Sequence, residues 1–174
     1  YNKIKNKFLK SKVIIAIPNT KSNLDLKKYL NKKKLNIVQG PENDLIERFK
    51  KVSKKFKTKY IVRLTADNPL ISIELINYAL NSHVNSEKKF SSTRKIIRKK
   101  IIRFFPKGHS VDIINRNELF LINTKKLTDY DREHLIPYFY KNYECNYIKN
   151  SFLKKKLRLK SNSIDLLRDY LKII

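Results

Sequence analysis

The chain has 174 residues, 41% of them apolar, a single cysteine and a formal charge of +26 from 41 basic and 15 acidic side chains. That length suits one domain with a real core, and no apolar run approaches the ~18–20 residues that cross a bilayer as a helix. The lone Cys145 excludes an intrachain disulfide and a cysteine-built zinc site, no secretory signal pattern is present, and the expected location is cytoplasmic.

In chain order, Tyr1–Lys12 reads as a polar helix end or connector. Val13–Ile17 (VIIAI) is a short apolar run, the pattern of a strand buried on both faces. Leu24–Leu30 is a short helix, and Leu35–Val38 a second strand that closes on Gln39-Gly40-Pro41. In Glu42–Phe56 the residues Leu45, Ile46, Phe49, Val52 and Phe56 recur at helical spacing, with lysines on the other face. Pro41 suits the beginning of that helix, and Glu42 and Asp44 suit its first turn. Tyr60–Leu64 is a strand, and Ser72 is placed as the N-cap of the helix that carries Ile73, Leu75, Ile76, Ala79, Leu80 and Val84 on its buried stripe. Alternating strands and helices predict a parallel sheet with right-handed crossovers.

Asn85–Arg103 is strongly basic and reads as an extended hairpin or arm. A solvated basic face is its plain reading; a subunit contact, and with it a homodimer, is the sharper one. Phe104–Ile114 crosses a Pro-Lys-Gly turn into another strand, and Glu118–Thr124 is a short helix. Asp131–Tyr143 is a helix that Pro137 is expected to kink. Tyr147–Lys149 and Lys156–Leu159 are candidate strands, and Ser163 is placed as the cap of a last helix.

The charge has two readings. One is a polyanionic partner such as nucleic acid; the other is a composition rich in lysine. Only 9 of the 41 basic residues are arginine, and the lysines run along the whole chain. Selected phosphate recognition favours the arginine fork, so this pattern argues against nucleic acid.

Two stretches could carry chemistry. Gly40-Pro41-Glu42-Asn43-Asp44 joins a strand to a helix amino terminus, whose free N–H groups favour an anion, although most such turns are only turns. With two glycines in the chain, no phosphate-cradling glycine fingerprint exists. Arg63-Leu64-Thr65-Ala66-Asp67-Asn68-Pro69 puts Arg63 and Thr65 on one side of a strand end and Asp67 just beyond it. Asp67 is free there to hold a hard divalent cation together with water and phosphate oxygens; the plain alternative is an Asx turn before proline. His134 in Asp131-Arg132-Glu133-His134 could be an acid/base or an orienting group, while three irregularly spaced histidines make no metal site.

The ordered set GPENDLIERF, RLTADNPLI, FPKGHSVDI and DREHLIPYFY resembles the cytidylyltransferase family, in particular members like the spore-coat polysaccharide cytidylyltransferases, relatives of the acylneuraminate enzymes. The resemblance runs from about Val13 to the end and implies a Rossmann-like α/β nucleotidyltransferase fold. It also implies Mg²⁺, and CTP whose α-phosphorus is attacked by a sugar or sugar acid in polysaccharide synthesis. Carried over by position, Asp67 is the metal ligand, and Arg63 braces the site as part of the catalytic set. Gly40, Asp44 and Arg48 shape the nucleotide pocket, and Lys107, Asp112, Arg132 and His134 face the sugar. In this chain Ser110 stands at a usual aspartate, Asp112 at a usual glutamate and Asn162 at another aspartate. Nothing before Val13 matches the family's first strand and triphosphate loop. Together with the absence of methionine, this leads to the expectation of one domain over residues 1–174, incomplete at its amino terminus and impaired in turnover. The other reading is a non-catalytic basic binding module.

Overall fold

The computed structural model describes residues 1–8, 12–97, 100–150, 159–161 and 163–165. The chain divides into two compact units, one of Tyr1–Lys59 with Arg116–Tyr138, the other of Tyr60–Asn115 with Phe139–Ile174.

The first unit begins with helix α1 (Asn2–Lys7), then pairs strand β1 (Ile15–Pro18) in parallel with β2 (Ile37–Gly40), connected by α2 (Leu24–Lys32). Helix α3 (Leu45–Lys55) follows β2. Its first turn is closed by Asp44, whose Oδ1 accepts from the Glu47 amide at 2.7 Å, an N-cap of the kind that stabilises by about 1 kcal/mol. Among the described residues, Ile17, Leu30, Ile46, Leu119, Ile122, Leu135 and Ile136 are the first unit's buried apolar side chains, each stabilising by roughly 1.5–3 kcal/mol over an exposed position. Helix α5 (Arg116–Leu121) and the short α6 (Asp129–Glu133) complete the unit. Arg116 is held to α3 by two hydrogen bonds, from Nε and Nη2 to the Ser53 carbonyl.

The second unit is a four-stranded mixed sheet. Strand β3 (Tyr60–Arg63) pairs antiparallel with β7 (Asp112–Asn115), β7 antiparallel with β4 (Phe90–Ser92), and β4 parallel with β8 (Cys145–Tyr147). Helix α4 (Ile73–Asn85) follows β3, and Ser72 caps it as expected, its Oγ accepting from the Leu75 amide at 3.1 Å. Phe90 is fully buried, with Phe139 and Tyr140 at centroid distances of 5.5 and 4.9 Å. The strand–helix alternation of an α/β chain is present; β7 makes the sheet mixed because it arrives from a turn rather than from a crossover helix.

Two expectations change. The basic arm is shorter than residues 86–103. Only Arg94–Ile97 and Lys100–Arg103 form a two-stranded hairpin, β5 and β6, while Phe90–Ser92 lie inside the main sheet. Phe90 and two serines whose hydroxyls find buried partners can enter a core that lysines cannot. The helix expected over Asp131–Tyr143 is two helices, α6 and α7 (Leu135–Asn142), and the break falls at His134, not at Pro137. Proline lacks an N–H and crowds the carbonyl four residues back. Starting a new helix just before it puts Pro137 in a first turn, where no N–H is required. The expected strand at Lys156–Leu159, the helix after Ser163 and Asn162 fall outside the described residues, apart from Leu159 and Ser163–Asp165. Among the described residues no helix is long and apolar enough to cross a membrane.

Candidate functional site

In the first unit the β2–α3 turn and α6 line one cleft of about 630 Å³, bounded by Pro41, Glu42, Asn43, Asp44, Asp129, Arg132 and Glu133. Gly40 sits where β2 ends, and a Cβ there would lie 2.8 Å from Arg48 Cγ and 3.0 Å from Arg48 Cα. The glycine is needed for close approach of α3. Arg48 turns back on the loop: Nε and Nη2 donate to the Pro41 carbonyl at 3.1 and 2.7 Å, and Nη2 to the Glu42 carbonyl at 2.7 Å. Burial holds its guanidinium below the ordinary value, against the pull of Glu42 and Asp44. Arg48 therefore shapes the wall of the cleft by fixing the turn.

Asp44 uses both oxygens. Oδ1 caps α3, and Oδ2 accepts from Arg132 Nη1 at 2.8 Å. Arg132 also donates to the Thr124 carbonyl. Two of the four sequence motifs are thus joined directly. His134 is exposed at the α6–α7 break, its ring edge-on to Tyr130 with centroids 4.8 Å apart. Thr128 caps α6, accepting from the Asp131 amide and donating to Asp131 Oδ2.

In the second unit sheet register builds the other cluster. Arg63 of β3, Asp112 of β7 and Ser92 of β4 face one another across three adjacent strands, and cross-strand partners share a face. Asp112 is fully buried. Its Oδ2 accepts from Arg63 Nη1 at 3.0 Å and from Arg94 Nη2 at 2.9 Å, and its Oδ1 from the Ser92 hydroxyl at 2.7 Å. A carboxylate out of water needs such pairing. The expected sugar-facing Asp112 is thereby bound to the expected brace Arg63. Arg94 and Ser92 were not singled out from sequence; the only hint is a Ser-Ser-Thr-Arg run after a phenylalanine inside a lysine-rich stretch.

Asp67 is exposed in the loop after β3. Its backbone carbonyl accepts from the Ile164 amide at 2.8 Å, and Asn68 ties the loop internally, donating to Thr65 Oγ1 at 2.7 Å. Lys107 forms an ion pair with Asp165, in a turn where Gly108 has a φ of 92°, a conformation open to glycine at little cost. His109 is buried beside it, with Nε2 3.0 Å from the Lys160 carbonyl, and burial pushes its pKa down. Among the described residues no three His, Cys, Asp or Glu side chains group to hold a metal by themselves. Burial first, then Asp112, pushes the Cys145 thiol up to about 12.

Residues 3–173 match the sequence profile of the family described as Cytidylyltransferase. The chain is 31% identical over 160 residues to an uncharacterized protein of Methanocaldococcus jannaschii, covering 92% of this chain and 61% of that protein. It is 26% identical over 163 residues to the spore coat polysaccharide biosynthesis protein SpsF of Bacillus subtilis, covering 91% of this chain and 63% of SpsF. The chain thus spans less than two thirds of the length of either relative. A solved cytidylyltransferase structure from Leptospira borgpetersenii serovar Hardjo-bovis is similar in fold, with a TM-score of 0.75 at 21% identity over 98% of this chain and 72% of that one.

Proposed function

The chain belongs to the cytidylyltransferase family, and on that premise we propose that it serves transfer of CMP from CTP to a sugar or sugar acid in the synthesis of a surface polysaccharide or glycan. The observation that carries the reading is the family match over nearly the whole chain, with the four motifs in order. The name of the Bacillus subtilis relative supports the polysaccharide context.

In this reading an acceptor oxygen forms a bond to the α-phosphorus of CTP, the α–β bridging bond breaks, pyrophosphate leaves and the acceptor proton passes to solvent. Positioning and charge neutralisation supply the catalysis. Asp67 offers an exposed carboxylate on a loop held by the Asn68–Thr65 bond. One carboxylate completed by water and phosphate oxygens is a donor set that Mg²⁺ accepts, and the ion would neutralise charge on the triphosphate. Asp44, Arg48 and Gly40 keep the β2–α3 turn in shape, and Arg132 holds it against α6. A homodimer and a cytoplasmic setting belong to the same proposal. The exposed Ile97, Ile101 and Ile102 of the hairpin suit a subunit contact.

The test is pyrophosphate release by the full-length protein from CTP, UTP, GTP and ATP with Mg²⁺, against a panel of sugars and sugar acids. Acceptor-dependent release from CTP above the other nucleotides is expected. Equal release from all four, or none with any acceptor, overturns the reading.

A further inference from the structure

The cluster in the second unit holds two cations against one anion. Arg63 Nη1 and Arg94 Nη2 both end on the same oxygen of Asp112, at 3.0 and 2.9 Å, so the two nitrogens lie within about 6 Å of each other, close enough to repel. A structural brace for one buried carboxylate needs one guanidinium. The second leaves a net charge of +1. Asp112 has no exposure, yet the Arg63 and Arg94 side chains retain 17% and 16%, so the excess charge borders solvent while its counter-charge is sealed inside.

The donors are also unevenly used. Arg94 Nε is buried and has no hydrogen-bond partner among the described residues. A buried N–H without an acceptor is unfavourable, and persists where the surroundings hold the group in place. They do so here: the Arg94 amide donates to Ser92 Oγ at 3.2 Å, its carbonyl accepts from the Tyr140 hydroxyl, and its Nη2 is on Asp112. Fixed donors with surplus positive charge suit planar or tetrahedral oxyanions, which guanidinium groups bind in forked fashion.

We propose that Arg63 and Arg94 form a subsite for one singly charged oxyanion group, a carboxylate or a phosphate, and that Asp112 and Ser92 are positioning residues that aim the two guanidiniums. The subsite deepens the function proposed above, and rests on it only for the statement that the ligand is a substrate of nucleotidyl transfer.

The test reads the arginines themselves. Side-chain Nε–Hε correlation spectra of the ¹⁵N-labelled full chain are recorded while inorganic phosphate, and in a second titration glucuronate, is added. Arg94→Gln and Arg63→Gln identify the two resonances. The Arg94 and Arg63 signals are expected to move saturably with at least one of the two ligands, and Arg94→Gln to weaken the Arg63 response by about tenfold. Response to phosphate alone assigns the subsite to a phosphoryl group, and response to glucuronate alone to a carboxylate. Shifts no larger than that of Arg103, exposed on β6, are the general response of a basic chain and overturn the proposal, as does no shift with either ligand. If Arg94→Gln does not fold, Arg94→Lys keeps the charge on Asp112 but removes the Nε donor and the fork; an undiminished Arg63 response there also overturns it. No CTP is present, so failure of nucleotidyl transfer and failure of this subsite are separate results.

Discussion

Asp44 and Arg132 lie 88 residues apart in sequence, and Arg132 Nη1 donates to Asp44 Oδ2 at 2.8 Å. The same aspartate caps α3 through its other oxygen. One carboxylate thus ends a helix and ties the β2–α3 turn to α6.

The two roles of Asp44 separate by substitution. Asparagine still caps a helix but loses the charge, so Asp44→Asn is expected to cost about 1–2 kcal/mol in urea unfolding through the ion pair. Asp44→Ala removes the cap as well and adds about 1 kcal/mol. In a double-mutant cycle, Arg132→Gln should cost less in the Asp44→Asn background than in the parent, the remaining cost being its bond to the Thr124 carbonyl. Full additivity would show that the pair contributes nothing.

Gly40→Ala is expected to destabilise the chain by about 1–3 kcal/mol, as overpacking does. The added Cβ meets not only Arg48 Cγ but the backbone Cα of Arg48 at 3.0 Å, so α3 itself must move. The midpoint of urea unfolding checks this. An unchanged midpoint would mean that the turn yields freely and that the close approach of Arg48 to Gly40 does not hold it.

His83 makes stability depend on pH. It is buried, with Nε2 2.8 Å from Asn115 Oδ1, Nδ1 2.7 Å from Ser91 Oγ, and Tyr60 edge-on at 5.1 Å. Burial lowers its pKa from the ordinary 6.5, partly offset by Asn115. The unfolded chain therefore binds the proton more readily than the folded one. The contribution is fully present above pH of about 6.5 and is lost as pH falls from there through the lowered folded value, at no more than about 1.4 kcal/mol per pH unit. His109, lowered by burial in the same way, adds a slope of the same sign. Thermal unfolding from pH 7.5 downward, compared with His83→Gln, should show a shallower fall in the variant.

Asp67→Asn should leave the fold within about 0.5 kcal/mol of the parent, since the side chain is exposed. It should lower pyrophosphate release from CTP by about a hundredfold or more, the loss of a few kcal/mol of charge stabilisation. Unchanged release at saturating Mg²⁺ would remove Asp67 from the metal site.

The residues by themselves determined what is local. Ser72 is a short polar side chain just ahead of an apolar stripe of helical period, and a cap reaches only three residues along the chain, so the start of α4 could be placed from the sequence; α3 was read from Glu42 with Asp44 in its first turn, and it begins at Leu45 with Asp44 as its cap. The glycine before Pro41 and the aspartate past β3 were legible for the same reason, as was the family through four short motifs in order. Tertiary structure decided what depends on distant partners. Which cations hold Asp112 follows from the pairing of β3 and β4 with β7, and that register brings Arg63, Ser92 and Arg94 to one carboxylate. The fate of Phe90–Ser92, read as part of a basic arm, turned on burial against Phe139 and Tyr140. The break at His134 turned on satisfying backbone donors around Pro137. A buried charge or donor must find a partner, and local pattern does not contain the partner's address.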